Sequence, residues 1–301
     1  MRKLIRKLSD MRGISGFEYR LTDQIADMFK KYCDDVKIDS LGSVIAVKRS
    51  NKPNAPKLMI EAHCDEIGLI VTSITDEGYL TFANVGGVDE RTLPSTEVTV
   101  HGKEDLWGVI GIKPNYLLEQ GKTAKLKELA VDTGLSAEKV KKLAAVGDSI
   151  TLAQSVGRLG KKQFSGKSLD DRASVAAIMR VMKNIKDLDI DIDVYAVAAV
   201  QEEVGCRGAK GAAFQQEPDI GIVLEGTTCN DLGDVPETAH VCEAGQGVAV
   251  SFMDGASIAN RALFRKALDV AKQENIPHQV KHSVSGGNDG GAIQRAREGV
   301  P

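Results

Sequence analysis

The run Ile192-Asp193-Val194-Tyr195-Ala196-Val197-Ala198-Ala199-Val200 ends abruptly in Gln201-Glu202-Glu203-Val204-Gly205, and no other stretch limits the fold of this chain as tightly. A run of that length, rich in valine and alanine and almost free of charge, predicts a strand buried on both faces, and such strands belong to sheets covered by helices. Successive strand residues point to opposite faces, so Glu202 and Glu203 cannot do the same job. One can enter a site at the carboxyl edge of the sheet as a metal ligand, while its neighbour meets a bound water or substrate. Gly205 then lets the backbone turn tightly out of the strand. A strand ending in solvated acids would look the same over these few residues, and the ends of the other strands decide between the two.

A second junction of this kind is Leu58-Met59-Ile60-Glu61-Ala62-His63-Cys64-Asp65-Glu66-Ile67-Gly68, where His63 and Asp65 lean to one side. In open α/β sheets, ligands gather at the carboxyl ends of strands. From Ser168 onward helix and strand alternate. Helices are expected at Asp171 to Ile185, Gly208 to Gln215, Ser257 to Glu274 and Gly291 to Arg297. Strands are expected at Ile192 to Val200, Ile220 to Leu224, Val248 to Phe252 and Gln279 to Val284, a pattern of βαβ crossovers. Residues 1 to 32 read as helical, with Ser15 and Glu18 spaced as a capping box, and Val36 to Lys48 as two strands around Leu41-Gly42. From Leu69 to Ser165 short alternating strands are separated by Gly, Pro and Asp turns, with one polar helix near Ser136 to Ala145. That texture predicts a small barrel. The expected fold is α/β: a mixed, mostly parallel sheet flanked by helices over residues 1–68 and 166–301, with an inserted small β-barrel-like domain at 69–165.

Charge and aromatic content narrow the function classes. Lys and Arg total 39 against 42 Asp and Glu, a formal charge of −3 without a basic run, which argues against a nucleic-acid partner. Aromatic residues make up only 4%, too few for base-stacking platforms. The five cysteines (Cys33, Cys64, Cys206, Cys229, Cys242) are odd in number and show no C-x-x-C spacing, as expected of reduced thiols in the cytoplasm. The start, Met1-Arg2-Lys3-Leu4-Ile5-Arg6-Lys7-Leu8, is too charged for a signal peptide, and no run approaches the roughly 18 apolar residues of a membrane span.

Acids and an imidazole thus close four segments: His63 with Asp65, Asp170 with Asp171, Glu202 with Glu203, and Glu225 after Gly221-Ile222-Val223-Leu224. Imidazole and carboxylates without thiolate suit Zn2+, Co2+ or Mn2+. Two such ions roughly 3.5 to 4 Å apart need a bridging carboxylate. His101, His240, His278 and His282 read as surface or strand histidines, His282 being the best placed of them to add a ligand. Cys206 and Cys229 read as small buried thiols. Asp171 reads as a helix N-terminal acid favoured by the helix dipole, Arg172 as a cation holding nearby carboxylates, and Gly286-Gly287 as a tight turn beside the substrate.

Ala62-His63-Cys64-Asp65-Glu66-Ile67-Gly68, Ser168-Leu169-Asp170-Asp171-Arg172-Ala173, Gln201-Glu202-Glu203-Val204-Gly205 with Arg207-Gly208-Ala209, and Gly286-Gly287-Asn288-Asp289 come in an order that resembles the serial motifs of the glutamyl and tetrahedral aminopeptidases. These are cytoplasmic dinuclear metallopeptidases often labelled endoglucanases. The resemblance spans essentially the whole chain. It implies His63 and Glu225 as ligands of a first metal, Asp170 as the bridging carboxylate, Glu203 as a ligand of a second metal, Glu202 as general base and Asp65 as the acid that orients an imidazole. It further implies short peptide substrates and a homo-oligomer assembled through the inserted β domain. Cys64, Ser174 and Asn288 stand where methionine, glycine and threonine are common in the family. Family members continue past a Gly-Val-Pro like Gly299-Val300-Pro301 with a tail whose histidine binds the second metal, so the first metal is expected to bind well and the second weakly or not at all. Two other functions compete: a glycoside hydrolase working through two carboxylates, and an impaired family member that lacks the last ligand.

Overall fold

The computed structural model describes residues 1–114, 124–161, 163–284 and 286–301. The chain opens with helices α1 (Arg2–Ser9) and α2 (Tyr19–Phe29), then strands β1 (Asp35–Ile38), β2 (Val44–Lys48) and β3 (Lys57–His63). Here the capping-box expectation fails. Helix α2 starts on Glu18 without any side-chain cap, because Ser15 Oγ donates to Asp65 Oδ2 (2.6 Å) and Glu18 accepts the Gln201 N–H (3.0 Å). Both side chains are spent on tertiary contacts, which outweigh the local cap.

Six strands then close into an antiparallel barrel: β4 (Gly68–Ile74), β5 (Leu80–Val85), β6 (Glu97–His101), β7 (Asp105–Gly111), β8 (Ala130–Asp132) and β9 (Ser149–Leu152), in the order β4-β5-β8-β7-β6-β9. Helix α3 (Ala137–Leu143) lies between the last two. Alternate residues such as Leu69, Val71, Leu80, Val98, Val100, Ile110, Val131 and Ile150 fill the interior, as the period of two requires. A hairpin of β10 (Gly157–Leu159) and β11 (Gln163–Ser165) leads back out. Strands β8, β10 and β11 have three residues each, too few for an alternating pattern to register in sequence.

Helix α4 (Leu169–Ile185), strand β12 (Asp193–Ala199), helix α5 (Arg207–Gln216) and strand β13 (Ile220–Val223) complete the main sheet, whose order is β1-β2-β12-β3-β13. It is mixed: β3 pairs parallel with β12 and β13, while β2 pairs antiparallel with β1 and β12. The last elements are β14 (Val248–Val250), α6 (Arg261–Gln273), β15 (His278–Val280) and α7 (Asp289–Gln294). Strands β14 and β15 pair in parallel with each other, not with the main sheet, so the final βαβ unit stands apart.

The alternation within the central strands divides the core in two. Val44, Ala46, Ile60, Ala62, Val194, Ala196 and Ala198 meet Leu8, Leu21, Ile25, Phe29, Val175, Met179 and Met182 from α1, α2 and α4. Ile45, Val47, Met59, Tyr195, Val197 and Ala199 face α5 and α7 through Ala209, Ala212, Ala213 and Ile293. Strand β3 feeds directly into the barrel at Gly68, where a β-carbon would lie 2.2 Å from Ile14 Cγ2 and 2.9 Å from the Ile150 carbonyl oxygen. Gly68→Ala should therefore overpack the seam and lower the unfolding free energy by about 1–3 kcal/mol. Urea denaturation checks this, and an unchanged midpoint would show that the seam yields freely.

Candidate metal centre

Strand β3 ends on His63, β12 runs out toward Glu202 and Glu203, Asp170 sits just ahead of the regular turns of α4, and Glu225 follows β13. The parallel register sets Ala199 beside His63, so all of these side chains arrive at one edge of the sheet. His63 Nε2 lies 3.0 Å from Asp170 Oδ1 and 3.4 Å from Glu225 Oε1. One ligand atom from each of His63, Asp170 and Glu225 falls within 4.8 Å of the others, and so does the set His63, Glu202 and Glu203. The structure therefore gathers every expected ligand, and Glu202 with them. They line a cavity of about 290 Å³ with Thr227, Thr228, Asp254, Lys281 and the Gly286-Gly287 turn.

Asp65 braces this cluster. It is fully buried, accepts the backbone N–H groups of Glu202 (3.1 Å) and Glu203 (3.2 Å) and the Ser15 hydroxyl, and faces His63 Nδ1 at 3.5 Å. His63 Nδ1 also points at the Asp65 carbonyl oxygen (3.2 Å), which leaves Nε2 free for a metal. Burial alone would raise the Asp65 carboxyl, but His63, Ser15 and the Glu202 amide hold it below the usual range. Beneath the site, fully buried Arg172 donates to the carbonyls of Cys64 (2.9 Å), Leu8 (3.0 Å) and Gly13 (3.2 Å) and to Glu66 (3.3 Å), which also pairs with Lys167 at 2.7 Å. Arg172 holds a carboxylate as expected, and more backbone than carboxylate.

The charge balance calls for a cation. Burial first, and then neighbouring acids, push Glu203 and Glu225 each up to about 7, and Glu202 also rises. Glu225 Oε2 is buried with no hydrogen-bond partner. Burial works to lower His63, yet Asp170, Asp65 and Glu225 together lift it well above 6.5. Oxygen and imidazole donors that repel one another, with an orphaned carboxylate oxygen among them, fit a divalent ion.

Three expectations need correction. Asp171 is not a helix N-terminal acid favoured by the dipole: its φ/ψ of −123°/35° is non-helical, its carboxyl is buried, and burial with Glu225 nearby pushes it up to about 9, toward its neutral form. The centre does not lack sulfur, because Cys206 Sγ sits 3.5 Å from Glu202 Oε1. His282 joins none of the three donor groups found among the described residues. Sequence reasoning also passed over Ser15, Glu18, Glu61 and Asp289. Glu61 was detectable, as a charge inside an apolar strand two residues before His63. The i, i+4 spacing of Glu202 and Cys206 was a usable signal as well. His101, by contrast, is accounted for by Arg12, Asp105 and Thr151.

An α/β sheet carrying a closed barrel, with imidazole and carboxylates converging at the strand ends, defines a metal-dependent hydrolase. The family model for M42 glutamyl aminopeptidase matches residues 42–301, and the chain belongs to that family of metallo-aminopeptidases. The lysyl aminopeptidase of Pyrococcus furiosus is 35% identical over 99% of this chain and 86% of its own length. An aminopeptidase from Desulfurococcus kamchatkensis superposes with a TM-score of 0.94 at 34% identity, covering 99% of this chain and 84% of that one. A Pyrococcus horikoshii TET1 peptidase, described as assembling into a tetrahedron or a large octahedral shell, gives 0.85 at 32% over 98% and 88%. A Thermotoga maritima protein named endoglucanase is similar too (TM-score 0.79, 31% identity, 94% and 84% covered). The glycoside hydrolase expectation nonetheless falls. Family model and sequence relatives are aminopeptidases, and the acids crowd one imidazole instead of flanking a sugar.

An acid whose native pKa exceeds its unfolded value stabilises the fold at low pH, and that contribution is lost as pH climbs through the native value. Glu203 and Glu225 thus weaken the metal-free protein between 4.5 and about 7, and Asp171 extends the loss to about 9. His63, raised by Asp170, Asp65 and Glu225, acts in the same direction. Metal-free protein should melt at a lower temperature at about pH 8 than at about pH 5.5, and divalent ions at the higher pH should restore it. A melting temperature that rises with pH across this window would contradict an uncompensated acid cluster.

Proposed function

We propose that the chain removes N-terminal residues from short peptides, with His63, Asp170 and Glu225 holding a first divalent ion and Asp170 and Glu203 a second. The convergence of Asp170 and Glu225 on His63 Nε2 carries this proposal. Ions bound there would supply a Lewis acid for the scissile carbonyl and a water whose pKa is lowered towards ~7; Zn2+, Co2+ and Mn2+ suit the donors. Glu202, raised by burial, accepts the proton from the attacking water and returns it to the leaving amine. Asp65 keeps the His63 ring oriented and fixes the backbone from which Glu202 and Glu203 project. This assignment gives the first ion three protein ligands and the second only Asp170 and Glu203, so the second is held more weakly.

The barrel, in the proposed division at residues 69–165, would serve assembly into a homo-oligomer. Trp107 stands 57% exposed on its outside, and the TET1 peptidase builds shells. Five free cysteines fit a reducing, cytoplasmic setting. No described helix is long and apolar enough to cross a membrane.

Chelation should abolish release of the chromophore from aminoacyl chromogenic substrates, and Zn2+, Co2+ or Mn2+ should restore it. Glu202→Gln should lower kcat by about 10²–10⁴-fold with the first two ions retained, whereas His63→Ala should lose the first ion. Full turnover in Glu202→Gln, or activity indifferent to chelators, would sink the assignment.

A further inference from the structure

Two side chains at the rim of the centre have no part in that mechanism. Cys206 caps α5 in the left-handed region (φ 54°), a costly conformation for a residue with a β-carbon. Its N–H donates to the Glu202 carbonyl (2.9 Å) and its Sγ to Glu202 Oε1 (3.5 Å), which holds the thiol against that acid. Asp289, from the start of α7, is fully buried, and neither of its carboxylate oxygens has a hydrogen-bond partner. Beside it stands Glu61, a second buried acid with neither oxygen partnered, and burial and mutual repulsion push both toward their neutral forms, a strain that a cation close by would relieve. On its other side are Glu202 and Cys206: one ligand atom from each of Asp289, Glu202 and Cys206 lies within 4.8 Å of the others.

We propose that Glu202, Cys206 and Asp289 form a third cation site, separate from the ions on His63 and selective for thiophilic divalent metals such as Zn2+ or Cd2+. Two oxygens and one sulfur leave a fourth tetrahedral position for water, and sulfur favours these ions over Mg2+ or Mn2+. Binding releases the Cys206 thiol proton to solvent as the metal–sulfur bond forms. One consequence rests on Glu202 being the general base. An ion here occupies the carboxylate that must accept the water proton, so filling the third site halts hydrolysis while the first two ions stay in place.

The site can be read without activity, because only a sulfur ligand gives a thiolate-to-cobalt charge-transfer band. Cys64, the cysteine next to His63, is packed in the core among Leu8, Leu21 and Val175, away from the cavity. The whole chain, stripped of metal and loaded with excess Co2+, should show a near-ultraviolet charge-transfer band that Cys206→Ser abolishes. Asp289→Asn should weaken Co2+ binding at this site by more than the roughly 10–100-fold that losing an outer-shell partner costs. Excess Zn2+ should inhibit the loaded wild-type enzyme, while Cys206→Ser keeps its own activity under the same excess. No band in the wild-type protein would overturn the site outright, whatever the variants do. A band that Cys206→Ser removes, in a wild-type enzyme that keeps full turnover while the site is filled, would support the site and overturn Glu202 as the base.

Discussion

One buried carboxylate sets the geometry on which everything at the sheet edge depends. Asp65 accepts two consecutive backbone amides, those of Glu202 and Glu203, and faces His63 as well, so it fastens the end of β12 to the end of β3. Without that brace, the acids of the edge would separate, since each is raised by the others. Ser15 completes the arrangement from the segment before α2, which ties the N-terminus of the chain to its centre.

The same edge is a store of unrelieved repulsion. Glu202, Glu203, Glu225 and Asp171 are all pushed toward their neutral forms, and His63 toward its charged one. A folded chain tolerates this only because two apolar layers, one against α1, α2 and α4 and one against α5 and α7, hold the strands in register regardless of the charges. A divalent ion converts the repulsion into ligation, which couples metal binding to stability. Tight backbone approach supports the packing there: a β-carbon at Gly226 would come within 3.1 Å of Asp170 Cγ, and one at Gly86 within 3.0 Å of Glu203 Cβ. The barrel loop holding Gly86 therefore forms part of the wall of the site.

The fold was legible where patterns were long. The runs before His63 and Glu202 read as buried strands because they are, and the change of texture after Leu69 marked a barrel that closes. Short strands such as β8 and β14 were harder, since three residues hold too little alternation to reveal a face or a partner. Ser15 and Glu18 carry the spacing of a helix cap, and only contacts across 50 and 183 residues of chain show that they serve Asp65 and Gln201.

Residue type and order by themselves brought the candidate acids and His63 to one sheet edge, because chemistry-bearing residues at the ends of apolar strands emerge there, and the resemblance of the motifs singled out His63, Asp170, Glu203 and Glu225 with Glu202 among them. Tertiary structure alone decided which further groups share that edge. Cys206 reaches Glu202 because the turn after β12 bends back on itself, and Asp289 comes from a helix packed over the same face of β3 as Glu61 and His63. Protonation was likewise decided there, since Asp171 is a neutral acid only by virtue of its burial beside Glu225. Sequence specifies which donors exist; distance and exclusion of water, which fix their charge, arise only when the chain is folded.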